Sequence, residues 1–289
     1  MEAVAAPQGR GYAWALARNR KFLIGLTIFL ALALTAVTAG FFVRPESRRT
    51  GSQPVRLPPG PESLLGTDTM GRSIAIQMAE AIPNSLQVGL VAALLGTLLG
   101  AIIGFVSGYF GGVVDAILRV LIDVFLSVPS LLFLILIAAL VKGIGVQAMA
   151  LIIGAFAWPS PARQVRAQVL SLKERAFVQI ARLSGMSGLE IIFRELMPHM
   201  LQWLGANFVN AFIAAILAES GLSILGLGPQ RQMTLGMMIY WALSYGAVLQ
   251  NLWWWWLTPV LTLICLFLAL YLIHLGFDEV SNPRLRAQG

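Results

Sequence analysis

Charge is scarce in this 289-residue sequence: 11% of its residues are Asp, Glu, Lys or Arg, against roughly 25% in a soluble globular protein. A water-soluble fold is excluded. Cysteine and histidine are scarcer still. The single thiol, Cys265, lies inside an apolar run and can form no internal disulfide. His199 and His274 alone make no cluster of imidazole or thiolate ligands, so a zinc site is excluded as well. What is abundant is apolar: 58% of the residues are hydrophobic. The net charge of +7 comes in clusters separated by long uncharged runs, as in a polytopic membrane protein and not a nucleic-acid binder.

A bilayer core about 30 Å thick takes roughly 20 apolar residues per helix, because lipid offers an open backbone no hydrogen-bond partner. Uncharged runs of suitable length occupy residues 22–43, Ala81–Val114, Val124–Val141, Gly143–Ala162 and Leu196–Ala218, one helix each. The longer run Gln232–Phe277 is polar in its first half and supplies one span, near Trp254–Leu275, preceded by short interfacial helices. The expectation is an all-α integral membrane fold with six transmembrane helices. A tail (1–21) precedes the first span (22–43), an external segment (44–80) follows, five spans make up the core (81–276), and a second tail (277–289) ends the chain.

Six spans put both termini on one side. With the tails inside, thirteen basic residues face the cytoplasm, six of them between Arg163 and Arg194. Seven face outward: Arg44, Arg48, Arg49, Arg56, Arg72, Lys142 and Arg231. The positive-inside rule therefore places the N and C termini in the cytoplasm. The N-terminus also resembles a signal peptide, with Arg18, Arg20 and Lys21 ahead of an apolar run ending at Val37-Thr38-Ala39. That run exceeds a usual h-region of about 7–15 residues, and an uncut anchor is expected. Trp253–Trp256 read as an interfacial anchor, with a substrate-stacking surface as the alternative.

Between the fourth and fifth spans lie about forty residues too polar to cross a membrane and too poor in Gly and Pro to be a loose linker. In Ser171–Ser184, Leu172, Ala176, Phe177, Ile180, Ala181 and Ser184 recur at helical spacing, with Lys173, Glu174, Arg175, Gln179 and Arg182 on the other face. Gly185 breaks this helix, and a second stretch, Leu189–Leu196, precedes Pro198 at the start of the next span. The periodicity predicts a helix-turn-helix protrusion with a small-residue tip at Ala181–Ser187. On periodicity alone, a helix lying on its own membrane domain fits as well as one that meets a partner.

Here the sequence resembles a known family. Ser171-Leu172-Lys173-Glu174, Phe177-Val178, Ala181-Arg182, Gly185, Ser187, Ile191-Ile192, Arg194 and Met197-Pro198 together look like the EAA loop of ABC importer permeases, in the form of the dipeptide, oligopeptide and nickel family. Gly66-Thr67-Asp68 with Gly71-Arg72 resembles that family's external motif. Gly108–Gly112, Trp158-Pro159, Glu219 with Leu222-Ser223 and Leu225–Gly228, and Asn282-Pro283-Arg284-Leu285 follow in the family's order. The chain departs from the pattern at Gln179, Ser73, Glu195 and His199.

The resemblance implies a type I ABC importer transmembrane domain with an EAA-type coupling loop, in a bacterial or archaeal inner membrane. It implies a related permease subunit as heterodimer partner, two ABC ATPase subunits and an extracytoplasmic substrate-binding protein. The expected cargo is a dipeptide, an oligopeptide or a related small solute such as nickel. None of the three lysines, Lys21, Lys142 and Lys173, follows a glycine, so no P-loop is present and the chain is expected to be non-catalytic, with ATP and Mg on its partners and no cofactor of its own.

The residues expected to meet the ATPase are Ala181, Arg182, Ser184, Gly185, Met186 and Ser187, the small ones letting a helix sit deep in a groove with Arg182 at its rim. Gly96, Gly100, Gly104 and Gly108, at four-residue steps, predict close helix packing, within the subunit or against the second permease. Asp115, Arg119 and Asp123 at i, i+4 and i+8 predict two intrahelical ion pairs. Glu219, after 23 uncharged residues, is expected either to line the passage or to serve as an outer gate or helix-end cap. A secondary transporter would need midplane carboxylates or repeats, and an intramembrane hydrolase would need paired acids, a Ser with a base, or zinc. Neither pattern is found.

Overall fold

The computed structural model describes residues 14–42, 50–141 and 143–281. The chain's first 13 residues, Arg44, Arg48, Arg49, Lys142 and the Asn282–Leu285 motif lie outside them, as does most of each predicted tail. The described residues are built from helices: α1 (Arg20–Phe42), α2 (Ile74–Phe110), α3 (Gly112–Ser127), α4 (Ser130–Leu140), α5 (Val146–Ala157), α6 (Pro159–Leu172), α7 (Ala176–Leu183), α8 (Gly188–Ile191), a π-helical turn (Ile192–Leu196), α9 (Met197–Ile224), α10 (Leu235–Ser244) and α11 (Trp253–Ser281). Among the described residues, three stretches, Ile74–Phe110, Gly188–Ile224 and Trp253–Val280, are long and apolar enough to cross a bilayer, and α3 with α4 makes a fourth if that bent pair is one span.

The third predicted span is not a straight rod. Its two helices meet at 73°, because Pro129 has no N–H to offer α3 and pushes Val128 into the extended region (φ −106°, ψ 131°). The fourth is interrupted too. α5 stops after 12 residues, and Pro159 opens α6, which runs on to Leu172. Pro83, by contrast, sits inside unbroken α2.

α2 is the spine of the molecule, packed along α6, α5 and α9, while α1 lies along α11. A buried cluster joins α2, α9, α10 and α11 through Ile74, Phe212, Leu235, Trp255 and Leu266. The short helix ahead of the last span packs into this cluster, with Leu235, Met237 and Met238 of α10 buried. The tryptophan run is divided: Trp253 is exposed, but Trp254 and Trp255 are buried. Trp254 donates its indole N–H to the Thr67 carbonyl at 3.1 Å, so the chain's own 50–73 segment covers the ring.

Side-chain contacts fix which ends lie together. Lys21 at the start of α1 pairs with Glu279 near the end of α11, and Asn19 donates to the same carboxylate at 2.9 Å. α9 runs antiparallel to α11: the His274 ring lies 3.2 Å from the Ala206 carbonyl, and Phe277 lies against Gly205. The start of α9, and the 173–196 segment leading into it, therefore share a face of the molecule with both ends of the described chain. The 50–73 segment sits at the opposite end of α11.

Candidate functional site

Two helix-end signals build the tip of the 173–196 segment. Gly185 takes φ +81°, the left-handed conformation that glycine adopts without a side-chain clash. Its N–H donates to the Arg182 carbonyl at 3.0 Å, and the Met186 N–H reaches back to the Ala181 carbonyl at 3.2 Å. This is a Schellman closure of α7. One residue later Ser187 caps α8: its hydroxyl accepts from the Glu190 N–H, and its own N–H donates to the Glu190 carboxylate at 2.9 Å. That is a capping box, and it fits a rigid elbow into four residues. The Ser187 N–H, then its hydroxyl, hold the Glu190 carboxyl below the usual carboxylate range.

The elbow is seated on the molecule by Val178, Ala181, Ile191, Ile192 and Leu196, which pack with Phe105, Val165, Val169 and Met200. Phe177 stacks on His199 with ring centroids 4.5 Å apart. The seating assigns the sequence-predicted residues to two sides. Ala181 is buried in the chain's own core and Met186 packs partly against it. Arg182 lies over the Tyr109 ring, its guanidinium 5.4 Å from the centroid, so it braces the elbow on α2. Ser184, Gly185 and Ser187 face outward.

The predicted apolar stripe is rotated relative to the buried one. The spacing puts Ile180 on the inner face, yet it is exposed, and with Leu183 (89% exposed), Leu189 and Phe193 it forms an uncovered apolar surface around the tip. The amphipathic pattern read across 171–184 misses the break at Lys173–Arg175, which resets the helical phase before α7.

Below the elbow, charge pairing runs between helices. Asp115 does not pair with Arg119: it receives Arg166 of α6 through Nε and Nη2, both at 2.6 Å, and the Ser107 hydroxyl at 2.5 Å. Asp123 pairs with Arg163, and its Arg119 contact is a longer 3.7 Å. Lys173 donates to the Gly108 carbonyl at 3.1 Å, satisfying the C-terminal end of α2.

The four glycines of α2 face the neighbouring helix in register. A Cβ at Gly96 would come within 2.6 Å of Ala157, at Gly100 within 2.6 Å of Pro161, at Gly104 within 2.6 Å of Val165, and at Gly108 within 2.9 Å of Val169. All four partners belong to the 157–169 stretch of this same chain.

Glu219 is fully buried. One carboxylate oxygen accepts from Thr234 at 2.6 Å and Ser223 at 2.7 Å; the other takes Ser85 at 3.3 Å and Ser220 at 3.5 Å. Thr234 in turn caps α10, and Ser85 accepts from the Leu235 N–H at 3.0 Å. The carboxylate ties α2, α9 and the start of α10 together and has no exposed surface on this chain.

The model of the binding-protein-dependent transport system inner membrane component family matches residues 96–287, which take in the glycine row, the elbow and Glu219. The chain belongs to that family. Among similar proteins, one from Brucella suis that carries the name of a peptide transport system permease is 34% identical over 95% of this chain and 91% of its own length. The dipeptide transport system permease protein DppC of Alkalihalophilus pseudofirmus is 29% identical over 94% of this chain and 88% of its own. In fold, the chain is similar to one from the inward-facing MetNI methionine ABC transporter, with a TM-score of 0.54 and 19% identity, covering 71% of this chain and 93% of that one.

One polar centre of this inner membrane component escaped sequence reasoning. Asp68, fully buried, accepts from the Met70 N–H (2.8 Å), the Arg72 N–H (2.9 Å), Arg72 Nε (2.7 Å) and Gln77 (3.1 Å). Gly66 and Gly71, at φ +77° and +69°, make the turns around it, and Thr67 and Ser73 form an antiparallel bridge. The motif was legible, with glycines flanking a short acid; that the acid organises the fold of its own segment was not.

Proposed function

We propose that this chain is one of two related membrane subunits of an ATP-driven importer of short peptides, and that partner ATPases drive it by gripping the elbow at Ile180–Phe193. The observation that carries this reading is the uncovered apolar tip, with Ile180, Leu183, Leu189 and Phe193 on a base fixed by the Asp115–Arg166 pair and the Arg182–Tyr109 contact. Apolar side chains exposed together on a rigid protrusion mark a protein contact. A contact that transmits force needs that rigidity.

In this reading the six predicted spans, the cytoplasmic termini and the cytoplasmic elbow hold together: the elbow shares its face with both described chain ends, and that face carries the Arg163–Arg194 basic cluster. The family description names a binding protein as a partner; two ATPases and a second permease complete the complex in this reading. Peptide cargo is supported by the names of the relatives. The bent third span, at Val128-Pro129, serves as a part that gives way when the elbow is pulled.

Leu183→Asp tests this. Leu183 is 89% exposed, so its loss leaves the chain's own packing intact. The purified complex should keep its basal ATP hydrolysis while binding-protein-stimulated hydrolysis and peptide uptake fall about tenfold or more. Stimulation and uptake at wild-type levels would reject the elbow as the coupling contact.

A further inference from the structure

The two interrupted spans open on the same space. A cleft of about 570 Å³ lies between the α3–α4 joint at Val128–Ser130, the α5–α6 joint at Ala157–Pro161 and one face of α9. That volume is in the ordinary range for small-molecule sites, roughly 300–1,000 Å³. The α9 face is Asn207, Asn210 and then the small residues Ala211, Ala214, Ala215 and Ala218. It starts ten residues in from Met197, about 15 Å along the helix at 1.5 Å per residue. At membrane depth, irregular backbone such as Val128-Pro129 is tolerated only where protein buries it or a water-filled cavity receives it. Val128, Pro129 and Ser130 are exposed on this chain, so in a bilayer this joint meets either water or a second protein.

The chemistry of the lining is selective by omission. No Asp, Glu, Lys, Arg or His is among its residues; the polar groups are the carboxamides of Asn207, Asn210 and Gln164 and the hydroxyls of Ser130 and Ser160. Asn207 spends an N–H on the Trp203 carbonyl (2.9 Å) and Gln164 one on Ser160 (3.1 Å), while the Asn210 amide nitrogen rests 3.5 Å from a His274 ring nitrogen. The carboxamide oxygens remain as acceptors. A nickel ion would want imidazole, thiolate or carboxylate, and finds none in this lining. An amide-bearing solute finds groups that match its backbone N–H and C=O. Weak, uncharged contacts also suit a route that must release what it admits.

We propose that this cleft is the solute-handling surface of the subunit and that it binds short peptides through their amide groups without reading side-chain charge. The inference rests on the reading above that the chain serves an importer of short peptides, and deepens it by naming the residues.

The test uses the complete transporter in proteoliposomes and radiolabelled Ala-Ala-Ala, Ala-Lys-Ala and Ala-Glu-Ala. Asn207→Leu with Asn210→Leu should lower uptake of all three alike, by about tenfold or more. The near-isosteric Asn207→Asp should instead create a preference of about threefold or more for the cationic over the anionic peptide, by placing a charge where solute passes. Uptake within about twofold of wild type in the double variant, or no charge preference in Asn207→Asp, overturns the proposal; so does loss of the second permease from the purified double variant, which would make the cleft an assembly surface.

A wild-type complex that carries none of the three peptides would sink the peptide reading itself, and the cleft is then judged separately. Asn210→Cys, in a Cys265→Ser background, should react with a membrane-impermeant maleimide. Protection from label on both sides of the membrane overturns the hydrated cleft whatever the cargo.

Discussion

Arg166 grips Asp115 with two parallel hydrogen bonds, one from Nε and one from Nη2, each 2.6 Å long. The partners are 51 residues apart in sequence and join α3 to the helix that leads into the elbow. A fork meeting a carboxylate in this way fixes angle as well as distance, so the elbow is held by its root as well as by its apolar seat.

Removing one partner of that half-buried pair should cost on the order of 2 kcal/mol. Asp115→Asn and Arg166→Gln should each lower the unfolding temperature of the purified chain in detergent, and the double variant should lose little more than either alone. Arg166→Lys should not restore stability, since an ammonium cannot fork. Strictly additive losses would show that the two side chains are not coupled.

Gly100 tolerates no side chain without displacing Pro161 and the Trp158 backbone. Gly100→Val should therefore cost roughly 1–3 kcal/mol or more through overpacking and should reduce the yield of assembled complex. Gly185→Ala meets no atom within 4 Å and should cost only about 1 kcal/mol for its positive φ, leaving assembly intact. Size-exclusion profiles of the two variants compare them directly; normal assembly with a shifted range of transported solutes in Gly100→Val would argue against tight packing.

Four hydroxyls converge on Glu219, and Gln offers them only one acceptor oxygen. Glu219→Gln should destabilise the α9–α10 junction and depress uptake of cationic, neutral and anionic peptides in the same proportion, because the side chain is sealed from solute. A selective loss of cationic cargo in proteoliposome assays would instead put this carboxylate in the pathway.

Asp68→Asn strips the Arg72 guanidinium of its buried counter-ion, at a cost on the order of 3 kcal/mol. The 50–73 segment should loosen and cleavage after Arg56 by trypsin in detergent should quicken, with the membrane helices still folded by circular dichroism. An unchanged cleavage rate would mean that the segment is held from elsewhere.

The capping box gives the elbow a pH signature. The Glu190 carboxyl titrates below its usual range because it accepts from Ser187 when folded, so its contribution is complete above the ordinary carboxylate pKa and is lost as pH falls through the lowered value. Amide exchange at Ser187–Ile191 should be insensitive to this group at neutral pH and should gain an extra acceleration in acid, absent in Glu190→Gln. An equal acid response in that variant would remove Glu190 as its source.

Features set by short spacing were open to inspection in the sequence. The glycine row of α2 and the Gly185 stop each depend on residues within a turn or two and were read from their spacing; the Ser187/Glu190 box is just as local but was not read. Features set by long-range contact were not. No spacing rule connects Asp115 to Arg166, or brings Thr234 and Ser85 to Glu219. Nor does the tryptophan run announce that the 50–73 segment supplies the partner of Trp254. The bend before Ser130 was legible in principle: Pro129 announces it, but an uncharged run counted by length alone passes over a proline.

The meshed row along α2 has a mechanical consequence. With Ala157, Pro161, Val165 and Val169 each seated in the gap left by a missing side chain, α2 and the 157–169 stretch can neither slip lengthwise nor roll by one notch without collision. They form a single rigid strut. Whatever motion lets cargo through must be concentrated at the hinges outside it, chiefly Val128-Pro129 and the connection from α9 to α10, and stiffening those few residues should jam the machine while leaving every helix in place.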